Sequence, residues 1–262
     1  MPTIWIDDLA DPRIEQYRSV SDGELMRRRN LFVAEGRLVV GRLFASGHRV
    51  VSVLVNEASR RALEPSLSAL PESVPTYVCG TDDFASITGF NLHRGCLALA
   101  ERPADRSLDD VLQDSDRVLI LEGVTDADNV GSAFRNAAAF GARVLLSPSC
   151  CDPLYRKAIR TSMGSVLGTP YARLNNWPGD LGAIRSSGFF LVALTPGRHA
   201  VDLSSCARHP RMALLVGREG PGLSAEAERF ADLCARIPMR GEVDSLNLAT
   251  ATGIALHYFF SS

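Results

Sequence analysis

The sequence predicts two α/β domains in series, the second built on a parallel sheet, and three observations carry the prediction. Short, continuous apolar runs such as RVLILEG (117–123) and MALLVG (212–217) have the length of buried strands. Stretches of helical spacing lie between them, which argues a parallel sheet covered on both faces. Near residue 102, GCLALAERPADRSLDDVL passes from an apolar run into a charged, Pro-containing link, placing a boundary between domains at 1–102 and 103–262. With 262 residues and 46% hydrophobic content, the chain has length enough for both cores.

Taken in order, the first domain holds an amphipathic stretch from Phe32 to Phe44 and the β-branched strand VVSVLVNE. TYVCG and GCLALA add further strands. The second domain predicts strands at 117–123, 142–147, 188–195, 212–217 and 233–238. Helices are predicted over 129–140, 153–163, 178–187, 223–231 and 245–260. There is no internal repeat and no low-complexity segment.

Composition narrows the function classes. The net charge of -2 carries no global basic signature, so any nucleic-acid surface must be a local patch. Of the 28 basic residues only Lys157 is a lysine; coding bias explains such a skew, and guanidinium forks also suit phosphate. The N-terminus MPTIWIDDLADP lacks the basic and apolar regions of a signal peptide. No apolar stretch is long enough to span a bilayer, so the expected location is the cytoplasm, with no membrane partner. The six cysteines (79, 96, 150, 151, 206, 234) include no CxxC and no metal-ligand spacing. They are expected to act as small buried hydrophobes, with a redox role for the pair Cys150 and Cys151 as the alternative, and no metal is expected.

Ligands of a parallel sheet bind beyond the carboxyl ends of its strands, which draws attention to three loops. The first, EGVTDADNVGSAFRNAAAFGA (122–142), offers Asp126, Asp128 or Asn129 as a helix cap. Val130, Phe134, Ala137, Ala138 and Gly141 are predicted to form its packed face. Arg135 falls off that stripe, as a solvated residue or a ligand contact. The second, LLVGREGPGLS (214–224), places three glycines and a proline after a buried strand, so that its backbone can approach a ligand closely. It is neither a dinucleotide fingerprint nor a phosphate loop. The third, IPMRGEVDSLNLATATGIALHYF (237–259), leads from a strand to an apolar helix, with Ser245 as its expected N-cap and Asp244 complementing its dipole.

Together, NVGSAFRNAAAFG, VGREGPGLS and IPMRGEVDSLNLATATGIAL resemble the three motifs of the SpoU/TrmH RNA 2′-O-methyltransferases. The resemblance extends from about 105 to 262 and includes KAIRTSMGSVLG. In the first domain, NLFVAEGRLVVGRLF followed by VVSVLVNE is similar to a substrate-recognition domain that resembles RNA-binding ribosomal proteins. The resemblance implies a deep C-terminal trefoil knot, which topology rules alone would not predict. It also implies a homodimer joined through the knotted domain, with active sites at the interface.

By carry-over onto matching positions, S-adenosylmethionine is expected against Thr195, Gly217, Glu219, Gly220, Ile237, Met239 and Leu246. Asn129, Arg135, Glu219, Ser245 and Asn247 are expected to line the reaction site. The family's arginine matches Arg135. A guanidinium keeps its proton in proteins, so a charged clamp on phosphate and developing alkoxide is expected of it in place of a base. Two positions depart from the family pattern: Ala127 stands where Pro commonly follows the Asp, and Arg218 replaces a smaller residue, as a phosphate contact or a surface substitution. RNA contact is expected from Arg27, Arg28, Arg29 and Arg37, with His93 and Arg94. Ribosomal RNA is favoured over transfer RNA, because a separate domain suits a structured hairpin. The rivals are a transfer RNA enzyme, a non-catalytic RNA-binding relative, and a nucleotide-dependent enzyme that lacks its fingerprint.

Overall fold

A computed structural model describes residues 2–18, 22–81, 83–84, 95–197, 199–240 and 245–261. The chain forms two compact units, one of residues 1–104 and 154–168, the other of 105–153 and 169–262. The expected boundary at 102 falls two residues before the end of the first segment. Residues 154–168, placed in the C-terminal domain by sequence, pack with the first unit.

The first unit is built on a five-stranded sheet of β1 (Thr3–Trp5), β2 (Leu31–Glu35), β3 (Val50–Asn56), β4 (Thr76–Cys79) and β5 (Cys96–Glu101). Its order is β1-β4-β3-β5-β2, with parallel pairs on the β1 side and antiparallel pairs around β5. Strand β2 takes the first part of the stretch expected to be amphipathic from Phe32, and helix α1 (Arg37–Ala45) only the rest. Residues 31–34 are buried without a break, which a central helical face could not arrange. The chain turns between β2 and α1 at Gly36, whose φ of 87° a side chain would resist. The short helix Arg156–Thr161 docks here. Arg160 faces Glu35 at 3.7 Å, Asp22 accepts the backbone N–H of Arg156 at 2.9 Å, and Arg42 donates to the carbonyl of Met163 at 2.7 Å.

The second unit holds seven parallel strands: β6 (Arg117–Glu122), β7 (Arg143–Leu146), β8 (Tyr171–Arg173), β9 (Phe190–Leu194), β10 (Val201–Asp202), β11 (Met212–Gly217) and β12 (Leu233–Arg236). Their order is β10-β12-β9-β11-β6-β7-β8. Five of them coincide with the predicted strands; β8 and β10 span three and two residues, too short to register as apolar runs. A core cluster including Ile120, Leu145, Leu191 and Leu215 packs with Leu181 and Ile184 of the helix Asp180–Ser186.

Two helices bear on the site. Helix α2 (Ala127–Ala139) is capped by Asp126, which accepts from the N–H groups of Asp128 and Asn129. Its buried face is Val130, Ala133, Phe134 and Ala137, whereas Ala138 and Gly141, expected on that face, are exposed. At 3.6 residues per turn an eight-residue step carries Ala138 about 80° away from Val130, and Gly141 lies beyond the end of the helix at a φ of 68°. Helix α3 (Leu248–Phe260) is capped by Asn247, which accepts from Ala249 and Thr250, and not by Ser245. Asp244 lies outside the described residues.

All six cysteines are free thiols. Burial pushes Cys96 up to about 12 and Cys79 and Cys151 up to about 11, which keeps these three protonated and poorly nucleophilic near neutrality. Among the described residues, no helix is long and apolar enough to cross a membrane.

Candidate active site

A cavity of about 340 Å3 opens at the carboxyl ends of β9, β11 and β12, within the range of small-molecule sites. Its walls are the ends of four segments. After β9 come Thr195 and Pro196; the β11 loop gives Gly217 to Gly220 with Gly222; the chain after β12 gives Ile237 and Met239; and Ser245 to Leu248 with Ala251 close the head of α3. Every residue carried over to the donor site lines this one cavity.

The β11 loop has the shape the glycines predicted, for a geometric reason. A Cβ on Gly217 would lie 2.3 Å from the carbonyl carbon of Gly222 and 2.4 Å from the nitrogen of Leu223. The two ends of the loop therefore touch backbone to backbone. The N–H of Gly222 donates to the carbonyl of Arg218 at 3.0 Å and closes a tight hairpin. Gly217, Gly220 and Gly222 line the cavity without side chains, which lets a bent, polar small molecule approach the backbone closely.

Three of the residues expected at the reaction site form a hydrogen-bonded chain at the cavity rim. The side-chain amide of Asn247 donates to Glu219 Oε1 at 3.0 Å and faces Asn129 Oδ1 at 3.4 Å. The carbonyl oxygen of the same side chain caps α3. Asn247 thus joins the β11 loop, α2 and α3 through one amide, and its two jobs fix which way the amide points. Asn129 is buried in the first turn of α2. Asn136, on the same helix, donates to the carbonyl of Ala249 at 2.7 Å and braces α2 against α3.

Arg135 is not among the residues lining the cavity. It is exposed on α2 and has no hydrogen bond or ion pair among the described residues. Ser245 lines the cavity wall without capping the helix.

In the first unit, Arg27, Arg28 and Arg29 are exposed at the end of a turn of π-helix over Leu25–Arg29. Arg28 pairs with Glu24 at 3.1 Å and Arg29 with Glu15 at 3.7 Å. Arg37 begins α1 and donates to Ser59 at 3.0 Å. His93 and Arg94 lie outside the described residues. No described group of three or more His, Cys, Asp or Glu could hold a metal ion.

Sequence reasoning missed Glu122, Trp177 and Ser224. The Glu122 carboxylate accepts from Trp177 Nε1 at 2.8 Å and from the N–H and Oγ of Ser224 at 2.8 and 2.7 Å. The available signal was an acidic residue closing an otherwise apolar strand, RVLILE.

Comparison with known proteins agrees with this architecture. The SpoU rRNA Methylase family matches residues 116–257. An "uncharacterized tRNA/rRNA methyltransferase" of Mycobacterium bovis is 40% identical over 258 residues, covering 95% of this chain and 89% of that protein. The 23S rRNA (guanosine(2553)-2′-O)-methyltransferase of Bacillus subtilis is 24% identical, covering 97% of this chain and 98% of that one. The crystal structure of an AdoMet-bound rRNA methyltransferase from Sinorhizobium meliloti superposes with a TM-score of 0.83 at 28% identity, covering 98% and 97% of the two chains.

Proposed function

The chain belongs to the SpoU rRNA methylase family, and from that premise we propose that it methylates a ribose 2′-hydroxyl of ribosomal RNA with S-adenosylmethionine as donor. The observation that carries the proposal is the single cavity in which Thr195, Gly217, Glu219, Gly220, Ile237, Met239 and Leu246 converge. A cradle whose backbone contacts leave no room for a Cβ suits a ligand that presents polar edges close to the chain.

When bound, S-adenosylmethionine supplies a methyl group already activated by a sulfonium. The protein's task is then to hold the ribose oxygen in line, and such positioning can contribute several kcal/mol, about 7–11 at best. Asn247 and Glu219 hold the rim of the cavity in register with α2. Arg135, a fixed cation on the exposed side of α2, binds the neighbouring phosphate and stabilises the oxyanion as it develops.

The remaining parts of the reading follow from the family. The C-terminal unit is knotted around the β11 loop and the chain before α3, and it pairs with a second copy. Support for the pairing comes from Ile254, a large apolar residue 39% exposed on α3, and from Arg135, which is not among the residues lining the donor cavity of its own chain. The first unit recognises a structured RNA through Arg27, Arg28, Arg29 and Arg37, in the cytoplasm.

The test is transfer of labelled methyl from S-adenosylmethionine to ribosomal and transfer RNA, presented separately. Label confined to ribosomal RNA is expected. Label confined to transfer RNA moves the substrate to that class. Absence of label with donor binding intact would point to a ribosome-assembly intermediate as the substrate; absence of label with donor binding lost would identify a non-catalytic relative.

A further inference from the structure

We propose that Glu122 is a positioning residue that clasps the donor-binding loop at both of its feet and thereby sets affinity for S-adenosylmethionine. The inference rests on the reading of the cavity given above. Glu122 is the last residue of β6, and its backbone stands in register with Gly217, the last residue of β11 and the first foot of the loop. Its side chain reaches the second foot. Oε2 accepts the N–H of Ser224, and Oε1 accepts both the Ser224 hydroxyl and Trp177 Nε1–H. One residue thus fixes the entry and the exit of a loop whose Arg218, Glu219, Gly220 and Gly222 line the cavity. Ser224 in turn accepts the N–H of Ala227 at 3.1 Å and caps the helix Ala225–Glu228. The clasp therefore also sets where that helix begins.

The chemistry requires a carboxylate. All three groups that point at Glu122 bring a hydrogen, and only an acceptor with two oxygens serves them all. Glutamine has the same shape but one oxygen. Whichever way its amide turns, an NH2 group meets the Ser224 N–H or the Trp177 N–H. The side chain is buried, so water cannot easily make up the loss. The loop cannot simply be packed tighter in compensation, because Gly217 already touches Gly222 backbone to backbone. Loosening either foot moves the amides that face the cavity.

The experiment measures S-adenosylmethionine binding by calorimetry for wild type, Glu122→Gln, Ser224→Ala and the double variant, with melting temperatures alongside. Glu122→Gln is expected to raise Kd about tenfold, as for other supporting-residue substitutions around a bound group. Ser224→Ala, which keeps its N–H, is expected to raise Kd about threefold. The double variant should match Glu122→Gln within about twofold, because both changes release the same foot. In turnover on ribosomal RNA the loss should fall on KM for the donor while kcat at saturating donor stays within about twofold. Equal Kd values for wild type and Ser224→Ala would overturn the clasp, a comparison that remains measurable if Glu122→Gln does not fold; a double variant that multiplies the two effects would overturn it as well. No binding by wild type would overturn the cavity reading and the clasp with it; wild-type binding with unaltered variants overturns the clasp alone.

Discussion

Arg135 is a cation that nothing in its own chain neutralises among the described residues. Its proposed work depends on charge, so replacing it should scale with charge. Arg135→Ala is expected to lower kcat by about 100- to 1,000-fold, the cost of losing one preorganised donor to a developing oxyanion. Arg135→Lys should recover part of that loss, since a lysine keeps the charge and loses only the fork. Single-turnover kinetics at saturating donor check the pair, and equal rates for the two variants would contradict a charge role. At this scale the sequence picked out residues that line one cavity better than it told how each is held there. Asn247 was legible as a site residue from the motif, but its capping of α3 was not, because Ser245 two residues earlier satisfies the same sequence rule. Glu122 was invisible for a different reason: its partners lie 55 and 102 residues further along the chain, and no local pattern encodes them.

The β11 loop is the element on which the proposed donor binding turns, and its glycines differ in what they tolerate. Gly217→Ala would push a Cβ into the backbone of Gly222 and Leu223, where no side-chain rotation relieves the overlap. The variant is expected to lose S-adenosylmethionine binding by at least about 100-fold, or about 2.7 kcal/mol. Calorimetry measures this directly, and affinity within about threefold of wild type would contradict the assigned loop geometry. The five long strands of the second sheet were legible as apolar runs, because a parallel strand is buried on both faces and reads as one. The edge strands β8 and β10 were not, since two or three paired residues leave no periodicity to detect. Strand β2 was obscured because its buried run continues into α1, joined only by the turn at Gly36. On α2 the packed face was foreseen at Val130, Phe134 and Ala137 and missed at Ala133, whose small side chain gives little signal beside Ala138 and Ala139.

For the whole molecule, the proposed division into a domain that recognises RNA and one that transfers the methyl group predicts two separable electrostatic effects. The exposed ion pairs Arg28–Glu24 and Arg29–Glu15 are of the weak kind, roughly 0–1 kcal/mol each, so these arginines can exchange carboxylate for phosphate. Neutralising Arg27, Arg28, Arg29 and Arg37 together is expected to flatten the slope of log affinity for ribosomal RNA against log salt. The slope should change by about 0.7–0.9 for each phosphate that the protein no longer neutralises, while S-adenosylmethionine binding is untouched. An unchanged slope eliminates the patch. The composition of the first unit was only partly legible: residues 154–168 belong to it in space and to the other half in sequence, since nothing local marks a segment whose partners, Asp22, Glu35 and Arg42, lie more than a hundred residues earlier. The central claim, methylation of a ribose oxygen, is tested most directly by alkaline hydrolysis of ribosomal RNA labelled by the wild-type protein. A methyl group on the 2′-oxygen blocks cleavage at the adjacent phosphate, so the label is predicted to emerge in an alkali-stable dinucleotide and to vanish with Arg135→Ala. Label released in a mononucleotide would place the methyl group on a base and contradict the account.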